Sequence, residues 1–98
     1  MKIEVHTDQE FSTYQQFDPF KLKTIRLFHV ECMGGAVEVD CDDYNANFRC
    51  TACGECEGAP VVESRAAVRR LLIVGDSQNI GDVTFVPHGK ASKPRPAT

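Results

Sequence analysis

The sequence predicts a small α+β domain rich in strands. Strand-like alternation of apolar and polar residues recurs at four places, and one stretch has the period of a helix. The 98 residues suffice for one domain. So short a chain buries only about two-thirds of its unfolded surface, so its core needs reinforcement.

Lys2 to His6 alternates with Ile3 and Val5 on one face, a short strand. Thr7 to Pro19 keeps no period and ends in Phe17-Asp18-Pro19, where proline turns its predecessor away from helix. A loop with at most one helical turn is expected there. Lys21 to Glu31 reads as a second strand, with Leu22, Thr24, Phe28 and Val30 on one face, interrupted by Arg26, and Ile25 and Leu27 on the other. Met33-Gly34-Gly35 supplies a turn in which glycine accepts the positive φ of a tight reversal. Val37, Val39 and Cys41 then alternate with Glu38, Asp40 and Asp42, a half-buried strand with a charged outer face. Asp42 to Asn47 is a turn by composition, and Phe48-Arg49-Cys50 returns to complete a β-hairpin.

Beyond Gly58 the period changes. Ala67, Val68, Leu71 and Leu72 form a helical stripe, Ser64 is available to cap its start and Gly75 to end it, predicting a helix over about 65–73. Ile73 and Val74 are β-branched, so a strand over Arg70 to Val74 competes. Asp76 to Gly81 reads as a polar turn, and Asp82 to Val86 as a last strand with Val83, Phe85 and Pro87 on one face. Lys90 to Thr98 has the composition of a mobile tail. The expected organisation is one domain over 1–89 and a flexible tail over 90–98.

The reinforcement is written in the five cysteines, which accompany no tryptophan. An odd number with two-residue spacings reads as metal ligands before disulfides. His29-Val30-Glu31-Cys32 and Cys50-Thr51-Ala52-Cys53 are two ligand pairs, separated by seventeen residues that read as the hairpin. Two intervening residues let the chain fold into a knuckle that aims both ligand atoms at one ion. Gly54, directly after Cys53, permits the tight turn and frees backbone amides to face the sulfur. One histidine with three cysteines is an ordinary closed tetrahedral set for Zn²⁺. Cys56 continues the spacing of Cys50 and Cys53 and competes with His29 as fourth ligand, whereas Cys41 lies mid-strand and reads as a small core residue. The triple spacing also admits an iron–sulfur cluster with Cys32 or Cys41 as fourth thiolate, although the ferredoxin-like run would need cysteine where Pro60 stands.

His29, Cys32, Gly34, Gly35, Cys50, Cys53 and Gly54 resemble the zinc-ribbon family, with its rubredoxin-like zinc knuckles, over residues 29–54. The resemblance implies one Zn²⁺ per chain, clasped at the base of a β-hairpin by His29, Cys32, Cys50 and Cys53. His29 departs from the pattern, since most ribbons carry cysteine there. Zinc ribbons mostly recognise something, often nucleic acid or the transcription machinery.

Charge bears on the choice of partner. Residues 1 to 28 are neutral, residues 29 to 57 carry −6 and residues 58 to 98 carry +3, giving −3 overall. Glu38, Asp40, Asp42 and Asp43 would project from the outer face and tip of the hairpin, which disfavours phosphate contact there and suits a basic protein surface. Arg65, Arg69 and Arg70 offer a separate basic patch. The expectation is a non-enzymatic zinc-binding adaptor or regulator acting through its acidic hairpin. Two alternatives stand beside it: a nucleic-acid-binding or transcription-associated regulator using the arginines, and a small inhibitor of the phage or mobile-element type or an iron–sulfur redox carrier. No catalytic motif is evident, and Glu31 and Glu55 read as solvated loop charges. His6 and His88 have no partners in sequence and read as surface residues. The opening residues hold no apolar run of signal-peptide length, and the longest apolar run is Leu71 to Val74, so a soluble cytoplasmic protein is expected.

Overall fold

The structure is a computed structural model that describes residues 1–11 and 17–88. Its elements are β1 (Lys2–Thr7), β2 (Ile25–His29), a 3-10 turn (Val30–Cys32), β3 (Gly35–Cys41), β4 (Asn45–Cys50), β5 (Cys56–Pro60), α1 (Val61–Val74), β6 (Gln78–Ile80) and β7 (Val83–Pro87). The chain is thus a small, β-rich α+β protein. Its strands make one sheet in the order β5-β4-β3-β2-β1-β7-β6.

Alternation decides which face of the sheet is buried. Ile3 and Val5 of β1, Ile25 and Leu27 of β2, Val37 of β3, Ala46 and Phe48 of β4, and Val83 and Phe85 of β7 all turn inward. They meet Val61, Ala67, Val68 and Leu71 of α1; the last three belong to the stripe that the period of the sequence marks, whose fourth member, Leu72, is partly buried against the same core. β1 pairs antiparallel with β2 and parallel with β7, where Ile3 stands opposite Phe85. Three strands separate β4 from β7, which in a flat sheet is about 19 Å. Yet the rings of Phe48 and Phe85 meet edge to face at 5.4 Å. The sheet therefore curls around the core, and Phe20 closes on Phe48 from the segment before β2 at 5.7 Å.

β2 and β3 join only through Phe28 with Ala36 and His29 with Gly35. Beyond those pairs the two strands diverge around a cleft of about 340 Å³, lined by Pro19, Phe20, Ile25, Leu27 and Val39 among others. Among the described residues, no helix is long and apolar enough to cross a membrane.

Several elements differ from the sequence reading. Of Lys21 to Glu31 only Ile25–His29 is strand, because Ile25 N donates back to Leu22 O in a turn and the residues after His29 wind into the 3-10 turn. Asn45 to Asn47 are strand, and the turn is confined to Asp42, Asp43 and Tyr44. Its tightness comes from Asp42, whose Oδ1 accepts from Tyr44 N at 2.8 Å and Asn45 N at 2.7 Å. The helix begins four residues before the expected 65. Pro60 stands at its cap position with no side-chain cap, Val61 N donates to Tyr44 O, and Ser64 is buried inside the first turns instead of capping them. Gly75 ends it in the left-handed conformation as expected, and no strand forms over Arg70 to Val74.

β5 and β6, at the two sheet edges, were not foreseen. The Gly58 and Pro60 that argue against a strand in β5 are tolerated at an edge, where one side needs no ladder. Cys41, read as a core residue, is exposed, because it occupies the last position of β3 opposite Ala46, at the turn end of the hairpin. The tail over 90–98 lies outside the described residues.

Candidate metal centre

Two chain reversals build the centre. After His29 the backbone turns through Val30–Cys32, and Met33 takes the left-handed conformation at φ 55°. Gly34 N then donates to His29 O, and the chain enters β3. At the far end of the hairpin's other strand, Gly54 N donates to Cys50 O across the second knuckle, with Gly54 at φ 82°. The two knuckles are tied to each other by Thr51, whose backbone N and Oγ1 both donate to Ala36 O at 2.8 Å.

Gly35 makes the approach possible for a different reason. Its φ is not positive; a Cβ there would lie 2.8 Å from Cys50 Sγ, 2.8 Å from Ala52 Cβ and 3.4 Å from Cys32 Sγ. The absence of a side chain, not backbone freedom, is what the site needs at this position.

The result brings His29, Cys32, Cys50 and Cys53 together with one ligand atom from each, all within 4.8 Å of one another. His29 is 2% exposed and Cys50 fully buried, Cys32 is half-buried and Cys53 faces solvent. His29 Nδ1 lies 3.5 Å from Cys53 Sγ. A tetrahedral ion with metal–nitrogen and metal–sulfur bonds of zinc length has an N···S edge of about 3.5 Å, so the donor set fits a metal of that size. Cys56 and Cys41 do not belong to this group. Cys56 is exposed, with its Sγ against Gly54 O at 3.5 Å.

The far side of the imidazole was not legible as part of the site. His29 Nε2 lies 2.9 Å from Glu31 Oε1 and 3.3 Å from Glu55 Oε1. With two carboxylates on Nε2, that nitrogen carries the proton and Nδ1 presents its lone pair to the cysteines. Glu31 and Glu55 therefore are not mere solvated loop charges, as the sequence reading had them. The Glu31 carboxyl is held below its usual range first by the backbone N–H of Lys2, at 3.1 Å, and then by His29.

Charge within the sulfur group is uneven. The backbone amides of Cys53 and then Ala52 lower the Cys50 thiol to about 6 against the opposing effect of burial. Cys32 moves the other way, to about 11, chiefly because its thiol hydrogen-bonds to Cys50. Amides turned toward sulfur in this way stabilise the thiolate that a metal requires.

The remaining candidate residues lie elsewhere. Glu38 pairs with Arg49 across the hairpin at 2.5 Å, and Asp42 is occupied by the turn amides. Asp40 and Asp43 are exposed and without an ion-pair partner among the described residues. Arg65 lies 3.2 Å from Asp18, though its Nε–H is not aligned for a hydrogen bond, and Arg69 donates to Phe17 O at 3.3 Å. Of the three arginines only Arg70 is fully exposed. No family model, curated protein or solved structure matches the chain.

Proposed function

We propose that the chain is a non-enzymatic zinc-binding adaptor, in which one structural Zn²⁺ held by His29, Cys32, Cys50 and Cys53 fixes the root of a hairpin that docks on a basic protein surface. The observation that carries the reading is the convergence of those four donors at the base of β3 and β4. Three thiolates and one imidazole close a tetrahedral ion, so no position remains for substrate. The hairpin runs about 20 Å from this anchor to its tip. There Tyr44 is 80% exposed, with Asp43 next to it in the turn and Asp40 near the end of β3. An exposed aromatic near acids that have no ion-pair partner among the described residues suits contact with lysine or arginine side chains. Glu38 and Asp42 belong to the same acidic face, but they act through Arg49 and through the turn.

The alternative, a nucleic-acid-binding regulator, is less well supported, because Arg65 and Arg69 engage the chain itself. An iron–sulfur carrier fits less well too, since the fourth donor of the group is an imidazole. The test has two parts. Elemental analysis with native mass spectrometry of reduced protein should give one zinc per chain. Titration with a lysine- and arginine-rich probe peptide should perturb residues 40–45 in NMR spectra, and Asp40→Asn with Asp43→Asn should abolish the effect. Tight binding of duplex DNA at physiological salt, lost on replacing the arginines, would overturn the adaptor reading.

A further inference from the structure

The face of the sheet turned away from α1 gathers a second set of donors. Glu4 and His6 alternate along β1 and so share that face. β1 runs parallel to β7 with Val5 opposite Pro87, which brings His88, one residue past the strand, up beside His6. The two imidazoles stack with centroids 3.7 Å apart and 22° between their planes. Phe28 of β2 sets its ring edge to face against His6 at 4.5 Å and closes one side. Residues read as unrelated surface histidines are therefore one cluster.

We propose that Glu4, His6 and His88 form a second site for a divalent transition-metal ion, independent of the cysteine centre. Two imidazole nitrogens and a carboxylate oxygen lie within 4.8 Å of one another. Both nitrogens converge on a single oxygen, Glu4 Oε1, at 2.7 Å from His6 Nε2 and 3.7 Å from His88 Nδ1. Two histidines and one carboxylate are the set that zinc and other borderline ions hold where a coordination position stays open. The ion takes the place of the direct contact between His6 Nε2 and Glu4 Oε1.

Bonds of about 2.0–2.2 Å to all three donors spread the ring centroids to roughly 5 Å, so the stack must open. His88 is the ring that moves, because its side chain is 59% exposed while Phe28 holds His6. Arg26 stands opposite His6 across β2 and repels a cation, and the set contains no sulfur. The site is therefore weaker than the cysteine centre and exchanges its ion with solution, and its free position accepts water or an external anionic ligand.

Cobalt separates the two sites. Full-length protein, reduced and stripped of metal, is titrated with Co²⁺, which gives intense near-ultraviolet sulfur-to-metal bands only where thiolates bind. Two equivalents should be taken up, the second adding visible ligand-field absorption without further sulfur bands. His6→Asn and His88→Asn should each weaken the second equivalent about tenfold or more, while the sulfur bands stay unchanged. His88 lies outside any strand, so its replacement leaves the fold intact. Uptake limited to the thiolate equivalent, or a second equivalent indifferent to both substitutions, overturns the proposal. Failure of the cysteine centre is read separately, as missing sulfur bands.

Discussion

Ile3 and His29 face each other across β1 and β2, the first fully buried and the second 2% exposed. The candidate ligand thus belongs to the same ladder that carries the core. Whatever holds His29 also holds the end of β2 against β1.

Metal removal should therefore spread beyond residues 29–54. In small zinc modules the bound ion contributes roughly 10 kcal/mol or more, comparable with the stability of a whole domain. Chelation should accelerate amide exchange at Ile3 and Val5 as well as through the hairpin. Unchanged protection of β1 after the metal is stripped would show that the centre and the core are uncoupled.

Single-residue changes should rank the donors. Cys50→Ser and Cys53→Ser should abolish stoichiometric zinc, whereas Cys41→Ser and Cys56→Ser should leave it, by elemental analysis of purified protein. Glu31→Gln removes a carboxylate from His29 Nε2 and should weaken zinc by about 10–100-fold, measured by competition with a chromophoric chelator. Zinc retention in His29→Ala together with its loss in Cys56→Ser would transfer the fourth position to Cys56.

Gly35→Ala should be more damaging than its size suggests. The new methyl would sit 2.8 Å from both Cys50 Sγ and Ala52 Cβ. Overpacking of this kind costs about 1–3 kcal/mol. A lower thermal midpoint and weaker zinc retention are expected together; Gly58→Ala, where the nearest atom is a side-chain oxygen of Asn47, should be milder.

The hairpin tip should respond to acid through Asp42. The amides of Asn45 and then Tyr44 lower this carboxyl below its ordinary value of 3.8. A depressed carboxylate contributes stability that is complete above the unfolded value and is lost as pH falls through the folded one. The difference in thermal midpoint between wild type and Asp42→Ala should be constant near neutrality and shrink below pH 3.8. A difference that persists undiminished into strong acid would assign the effect to packing instead of to the carboxylate.

The short-range chemistry of the centre was legible because it is local. His29 with Cys32, and Cys50 with Cys53, announce themselves by spacing, and the alternation at Val37 to Cys41 places a hairpin between them. What the sequence concealed depends on register and on neighbours far along the chain. Glu31 and Glu55 became partners of His29 only through the direction in which its ring is turned. His6 and His88 met through a parallel pairing that no local pattern encodes. β5 was hidden because an edge strand can use Gly58 and Pro60, and the helix started early because Tyr44 O, not Ser64, receives its first free amide. The inward apolar residues were read correctly where one face is buried. Cys41 was misread because alternation does not tell where the core ends.

The parallel pairing of β1 with β7 has a kinetic side. Ile3 reaches Phe85, and Thr84 N donates to Met1 O, across almost the whole described chain. Contacts of such high order close late and slow folding toward the millisecond-to-second range. During synthesis β1 can zip onto β2 early, but its other edge stays open until Val83 to Pro87 have left the ribosome. In that interval the bare edge of Ile3 and Val5 is open to pairing with a neighbouring chain.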